Sequence, residues 1–159
     1  GPRRAKPGLE FVEAGFNYRL SEIPAILGLS QVRRLNEILD DRRGTAARYD
    51  AALKGISGVT VLLPAPGVKW SYQSYVVVLD EGIDRDEIIE LMAEEKIETT
   101  IGTYACHEHP AFASWSTGLA LPNSARHAAY SLTLPLVPRM GDQQVDRVVE
   151  TLDRVIRRA

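Results

Sequence analysis

The stretch Tyr72-Gln73-Ser74-Tyr75-Val76-Val77-Val78-Leu79-Asp80-Glu81-Gly82-Ile83-Asp84-Arg85-Asp86-Glu87-Ile88-Ile89-Glu90-Leu91-Met92 sets the fold class. Its first eight residues are rich in aromatic and β-branched side chains, which fit a pleated, half-buried strand. Asp80-Glu81-Gly82 turns the chain. Asp84 stands three residues before Glu87, the spacing of a capping box, and Ile88, Leu91 and Met92 follow at helical spacing. A strand thus passes directly into an amphipathic helix.

Upstream, Val59-Thr60-Val61-Leu62 reads as a short strand ended by Pro64 and Pro66. Before it, Ser21 is a good N-cap and Pro24 falls in a first helical turn. Apolar residues at mixed i, i+3 and i+4 steps then run from Ile23 to Leu53, and Gly55 stops them. One helix of about 30 residues would be about 45 Å long, longer than a small domain is wide, so part of it is expected to pack on something else. Gly44 is the expected place for a kink or a close backbone approach. Downstream, Ile97–Tyr104 is β-like, and Cys106–Asn123, with Pro110, Gly118 and Pro122, reads as loop. Ser131–Leu136 is a last short strand. Asp142 is expected to cap a closing helix whose Val145, Val148, Val149, Leu152, Val155 and Ile156 form one apolar stripe.

Alternating strands and helices with uneven crossovers indicate an α/β sandwich of the α+β kind. The expectation is a small, partly antiparallel sheet with helices on one face, preceded by one long helix. A doubly wound domain or a βαβ pair stays open. Residues 1–15 hold little periodic signal and read as an extended lead-in, leaving 16–159 as one domain.

The 159 residues are 45% hydrophobic and 25% charged, with a formal net charge of -2. That balance gives no excess of cations for a phosphate backbone, so nucleic acid is not an expected partner. The clusters Arg33-Arg34, Arg42-Arg43 and Arg154, Arg157, Arg158 have acids nearby and read as solvated helix faces. A single cysteine, Cys106, excludes an internal disulfide, and no apolar run is long enough for a membrane span; a cytoplasmic setting is expected. Trp70 and Trp115 are expected in the core or under a loop.

Gly15-Phe16-Asn17-Tyr18-Arg19-Leu20-Ser21-Glu22 carries a further signal, because later stretches agree with it in order and spacing. These are Gln73-Ser74-Tyr75, Ile97-Glu98-Thr99, Gly102-Thr103-Tyr104-Ala105-Cys106-His107, Leu121-Pro122-Asn123-Ser124-Ala125 and Leu132-Thr133-Leu134-Pro135-Leu136-Val137-Pro138-Arg139-Met140. Together they resemble the DegT/DnrJ/EryC1/StrS sugar aminotransferases over nearly the whole chain from Gly15 onward. Pro24, Lys96 and Cys106 depart from residues common in that family.

The resemblance implies the C-terminal small domain of a fold-type I enzyme that uses pyridoxal 5'-phosphate. Such enzymes move an amino group, typically from glutamate, onto a keto-sugar nucleotide, and pair as dimers with shared active sites. The cofactor acts as the electron sink and a lysine holds it as a Schiff base. In the family that lysine lies upstream of the Asn-Tyr-Arg segment, in the large domain. None of Lys6, Lys54, Lys69 or Lys96 matches its context, so no catalytic residue is assigned here, and the chain alone is expected to be inactive and to bind no cofactor. Its expected partners are the large cofactor domain, a second copy and a nucleotide sugar. A non-catalytic sugar-nucleotide-binding or dimerisation module of the same fold is the alternative.

By the same resemblance, Asn17 donates its amide to the cofactor phosphate in the neighbouring subunit, against a plain turn role. Arg19 contacts cofactor or substrate through its planar fork, against an ion pair with Glu22. Tyr18, Tyr104 and His107 are implied on the substrate side, the last two on a loop near the sugar nucleotide. His107-Glu108-His109 invites a metal, but the spacing is poor for zinc; a Cys106–His107 nucleophile pair lacks an orienting third group. With its usual partner surfaces missing, the chain is expected to expose an apolar patch and self-associate.

Overall fold

The computed structural model describes residues 20–158. The central strand of the decisive stretch forms as expected, but shorter. β2 (Tyr75–Leu79) pairs on one side with β1 (Val59–Val61) and on the other with β4 (Ser131–Leu134), which carries the two-residue edge strand β3 (Thr100–Ile101). The order is β1-β2-β4-β3, and all three pairings are antiparallel. Tyr75 lies opposite Leu134 and Val77 opposite Leu132, so the large side chains of the two central strands share a face.

Three helices cover that face: α2 (Leu35–Ala52), α3 (Arg85–Glu94) and α6 (Asp142–Ile156). The predicted α6 stripe is its buried side, with Val145, Val148, Val149, Leu152 and Val155 all in the core. Removing a side chain such as Leu152 from water stabilises the fold by about 1.5–3 kcal/mol. α3 begins where the sequence placed it, since the Asp84 carboxylate accepts from the backbone N–H of Asp86 at 2.9 Å and of Glu87 at 3.2 Å. Gly58 closes the β1 end. Its φ is +84°, and a Cβ there would meet Ile83 Cδ1 at 2.7 Å, so conformation and space both exclude a side chain.

Several expectations are corrected. The long helix is two helices, α1 (Glu22–Arg33) and α2, interrupted at Arg34, whose N–H closes a tight three-residue step onto Gln31 O at 3.0 Å. α2 runs unbroken through Gly44, where an added Cβ would meet nothing within 4 Å, so neither a break nor a close backbone approach is found there. Helices do not lie on one face alone. α5 (Pro122–Tyr130), inside and beyond the stretch read as loop, packs against β2 and β4 on the side of Val78 and Ser131, both buried. The α6 cap is Gly141, whose N–H donates to Gln144 Oε1 at 2.9 Å; Asp142 is the first helical residue and pairs with Arg48 at 3.2 Å.

The chain divides into units 1–35 and 36–159. In the first, α1 buries none of its residues. In the second, the α2 arginines are tethers, not a purely solvated face. Arg42 donates to Tyr72 O at 3.0 Å and Arg43 to Trp70 O at 3.1 Å. They hold Tyr72 at φ +48°, unusual for a bulky residue, with its ring between Trp70 and Tyr75. Tyr75 stacks in turn on Tyr49, with centroids 4.7 Å apart, and donates to Asp50 Oδ1 at 2.7 Å. Among the described residues, no helix is long and apolar enough to cross a membrane.

Candidate functional site

β3 leaves the sheet at Gly102 and delivers the segment Thr103–Glu108 to one end of the second unit. Two ties fix its start: Gly102 N–H donates to Ser131 O at 2.9 Å, and Thr133 Oγ1 to Ile101 O at 3.1 Å. Ala105, buried, anchors the segment between exposed Tyr104 and Cys106. A 3-10 turn follows at Cys106–Glu108, closed by Glu108 N–H on Ala105 O at 2.9 Å. It turns His107 inward to half burial.

The next residues fold back over this turn. A second 3-10 turn (Pro110–Phe112) and the single helical turn α4 (Ala113–Ser116) occupy a stretch that reads as loop. Their short length and the flanking Pro110 and Gly118 leave no periodic signal to read. Tyr104, Cys106, His107, Phe112, Trp115, Ser116, Leu119, Leu121 and Ser124 then line an open depression of about 330 Å³.

Tyr104 and His107, the two described substrate-side candidates, are therefore brought together in one concavity. Asn17, Tyr18 and Arg19 lie outside the described residues. Reasoning from sequence missed Phe112, Trp115, Leu119 and Leu121 as lining residues. Trp115 is 84% exposed, neither core nor under a loop, and is corrected on that ground. The available signal was a large aromatic residue in a turn-rich stretch. Trp70, 38% exposed, sits at the edge of the Tyr72–Tyr75 stack.

Polar chemistry at the depression is sparse. His107 Nε2 is 4.0 Å from Glu108 Oε1, an ion pair only when the imidazole is protonated. His109 meets Tyr104 edge-to-face, with 5.6 Å between ring centroids. Among the described residues no group of three His, Cys, Asp or Glu side chains is placed to hold a metal. Apolar walls with a few hydroxyls and one imidazole fit an organic ligand with a planar or ring-shaped apolar part.

The family profile of the DegT/DnrJ/EryC1/StrS aminotransferases matches residues 3–153. The chain belongs to that family. Among solved structures, the chain resembles DesI, crystallised in the presence of its TDP-sugar product, at 29% identity and TM-score 0.77, over 87% of this chain and 36% of that one. The aminotransferase TlmJ of Streptoalloteichus hindustanus is similar at 28% identity and TM-score 0.71, over 86% and 36%. The sugar aminotransferase CalS13 of Micromonospora echinospora is similar at 26% and 0.77, over 88% and 37%. The chain thus spans little more than a third of the length of these structures.

Pyridoxal phosphate is the cofactor of this family, and the described residues do not fit it by themselves. The cofactor needs a lysine amine held out of bulk water so that it is a neutral nucleophile. Lys54, Lys69 and Lys96 are all exposed, and none lines the depression that holds Tyr104 and His107.

Proposed function

We propose that this chain is the small-domain portion of a pyridoxal-phosphate-dependent enzyme that transfers an amino group, from glutamate, to a keto-sugar nucleotide. The Schiff-base lysine comes from residues outside this sequence. Asn17 and Arg19 serve the cofactor phosphate, and Tyr18, Tyr104 and His107 the substrate side. The single observation that carries this reading is the convergence of Tyr104 and His107 on one apolar, ring-lined depression in a chain of this family. There the aromatic walls exclude water from the ligand's ring, and His107 offers a nitrogen for a hydrogen bond to a hydroxyl or phosphate oxygen.

Two titrations test it. A TDP-sugar added to the Trp70→Phe chain is expected to quench Trp115, the remaining indole; an unchanged spectrum from a folded chain sinks the substrate-side assignment. Pyridoxal phosphate followed by borohydride is expected to give only scattered, substoichiometric label on the exposed Lys54, Lys69 and Lys96. A stoichiometric label on one of them would mean that the chain holds cofactor unaided. Sugar-nucleotide binding by a chain that yields no activity when joined to the large domain would favour the non-catalytic module instead.

A further inference from the structure

Gly102 occupies a place where the backbone conformation would admit a side chain and the space would not. Its φ lies outside the left-handed region, so an alanine would be conformationally ordinary. A Cβ there, however, would meet Ser131 Oγ at 2.5 Å, Ser131 Cβ at 2.6 Å and Val76 Cγ1 at 2.7 Å. The nearest contact falls about 0.9 Å short of the 3.4 Å at which ordinary van der Waals contact begins.

What yields to such a clash follows from the sheet order. Val76 and Ser131 belong to the two central strands, paired with each other's neighbours from Tyr75–Leu134 to Val78–Ser131. Ser131 is also fully buried, and its hydroxyl donates to His127 O. β3 is a two-residue edge held by β4 alone. The edge therefore moves and the centre does not, and the chain leaving that edge carries Tyr104, Cys106 and His107 into the depression.

We infer that Gly102 is a positioning residue that sets how closely the Thr103–Glu108 segment lies on the sheet, and so the depth of the depression and its affinity for the ligand. The inference rests on the reading of that depression as the substrate side. Losing or weakening one hydrogen bond or ring contact in the displaced segment costs about 1–1.5 kcal/mol, which is about tenfold in ligand affinity, and that loss is expected from Gly102→Ala.

The test has two arms, both on the full 159-residue chain. Without ligand, the backbone amide resonances of residues 103–108 shift in G102A, while those of α6 stay in place. In G102A/S131G, which removes two of the three clashing atoms, they move back toward wild type. Immobile 103–108 resonances in G102A overturn the inference. So does a double variant no closer to wild type than the single, since Ser131→Gly would by itself only weaken a merely structural site. With a TDP-sugar followed by Trp115 quenching in the Trp70→Phe background, G102A lowers affinity about tenfold and the double variant recovers part of it. Unchanged affinity in a G102A chain whose 103–108 resonances have moved overturns the affinity role. Failure of the parent chain to bind rejects the substrate-side reading, and the ligand-free arm then still decides whether Gly102 positions the segment.

Discussion

α1 and α6 are both rich in aliphatic residues, yet one buries nothing and the other forms the floor of the core. The difference lies in angular distribution. Val145, Val148, Val149, Leu152, Val155 and Ile156 fall within one arc of α6, whereas Ile23, Ile26, Leu27, Leu29 and Val32 spread round the axis of α1. A narrow stripe can be covered by one sheet of the same chain. An apolar surface that runs round a helix needs cover on several sides, and Ile23, Ile26, Leu27 and Val32 are each more than 60% exposed. Pattern, not apolar content, distinguishes a helix that completes the core of its own unit from one that buries none of its residues.

The largest test of this contrast is Leu152→Ala, which truncates a fully buried α6 side chain. It is expected to cost about 2–5 kcal/mol, read as a lower urea midpoint. A cost under 1 kcal/mol would mean that α6 is not packed as described.

Next comes Tyr75→Phe, which removes the hydroxyl donated to Asp50. Hydrogen bonds to charged groups contribute about 1.5–3 kcal/mol, and the half-burial of Asp50 places this one at the low end. The same tyrosines give the packed unit an alkaline limit. Burial raises the Tyr49 and Tyr75 phenols above their ordinary value near 10, with Asp50 adding to the effect at Tyr75. The folded state holds these protons more tightly than the unfolded chain, so the contribution is complete below pH 10 and lost as pH rises beyond it. Urea midpoints that fall as pH rises above 10 in the native chain, and less steeply in Tyr49→Phe, are expected. A flat profile would contradict the burial of both rings.

Asp84→Ala tests the α3 entry. Loss of the two accepted backbone N–H bonds is expected to cost about 1 kcal/mol, measured by thermal unfolding. The smallest effect on stability belongs to Ile26→Glu in α1, within about 0.5 kcal/mol as for surface positions generally. Its consequence is expected in sedimentation instead. The native chain self-associates at high micromolar concentration and the variant does so less; a native chain that stays monomeric would end the partner-surface account of α1.

The sequence made legible those features that depend on local chemistry or strict period. The α6 stripe, the Asp84 cap and the β2 strand were readable because each is decided within a few residues. The break at Arg34 was not, because Gly44 is the weaker helix former and no glycine or proline stands near Arg34 to announce a break. Asp142 is as good a capping residue as any, but Gly141 N–H is satisfied by Gln144, and Asp142 is drawn to Arg48 instead. α5 was hidden by Pro122 and by a polar exterior, since it buries no residue fully. At the candidate site, Tyr104 and His107 were legible only through family resemblance. The walls supplied by Phe112 and Trp115 depend on a fold-back that no period announces.

The edges of the sheet carry a consequence for concentrated solutions. β1 offers three residues to a newcomer and β3 offers two, too few to template a growing cross-β ladder, which needs about six or seven residues in register. Clumping of this chain should therefore proceed by helices finding helices, leaving the circular dichroism native and thioflavin dark, and should reverse on dilution.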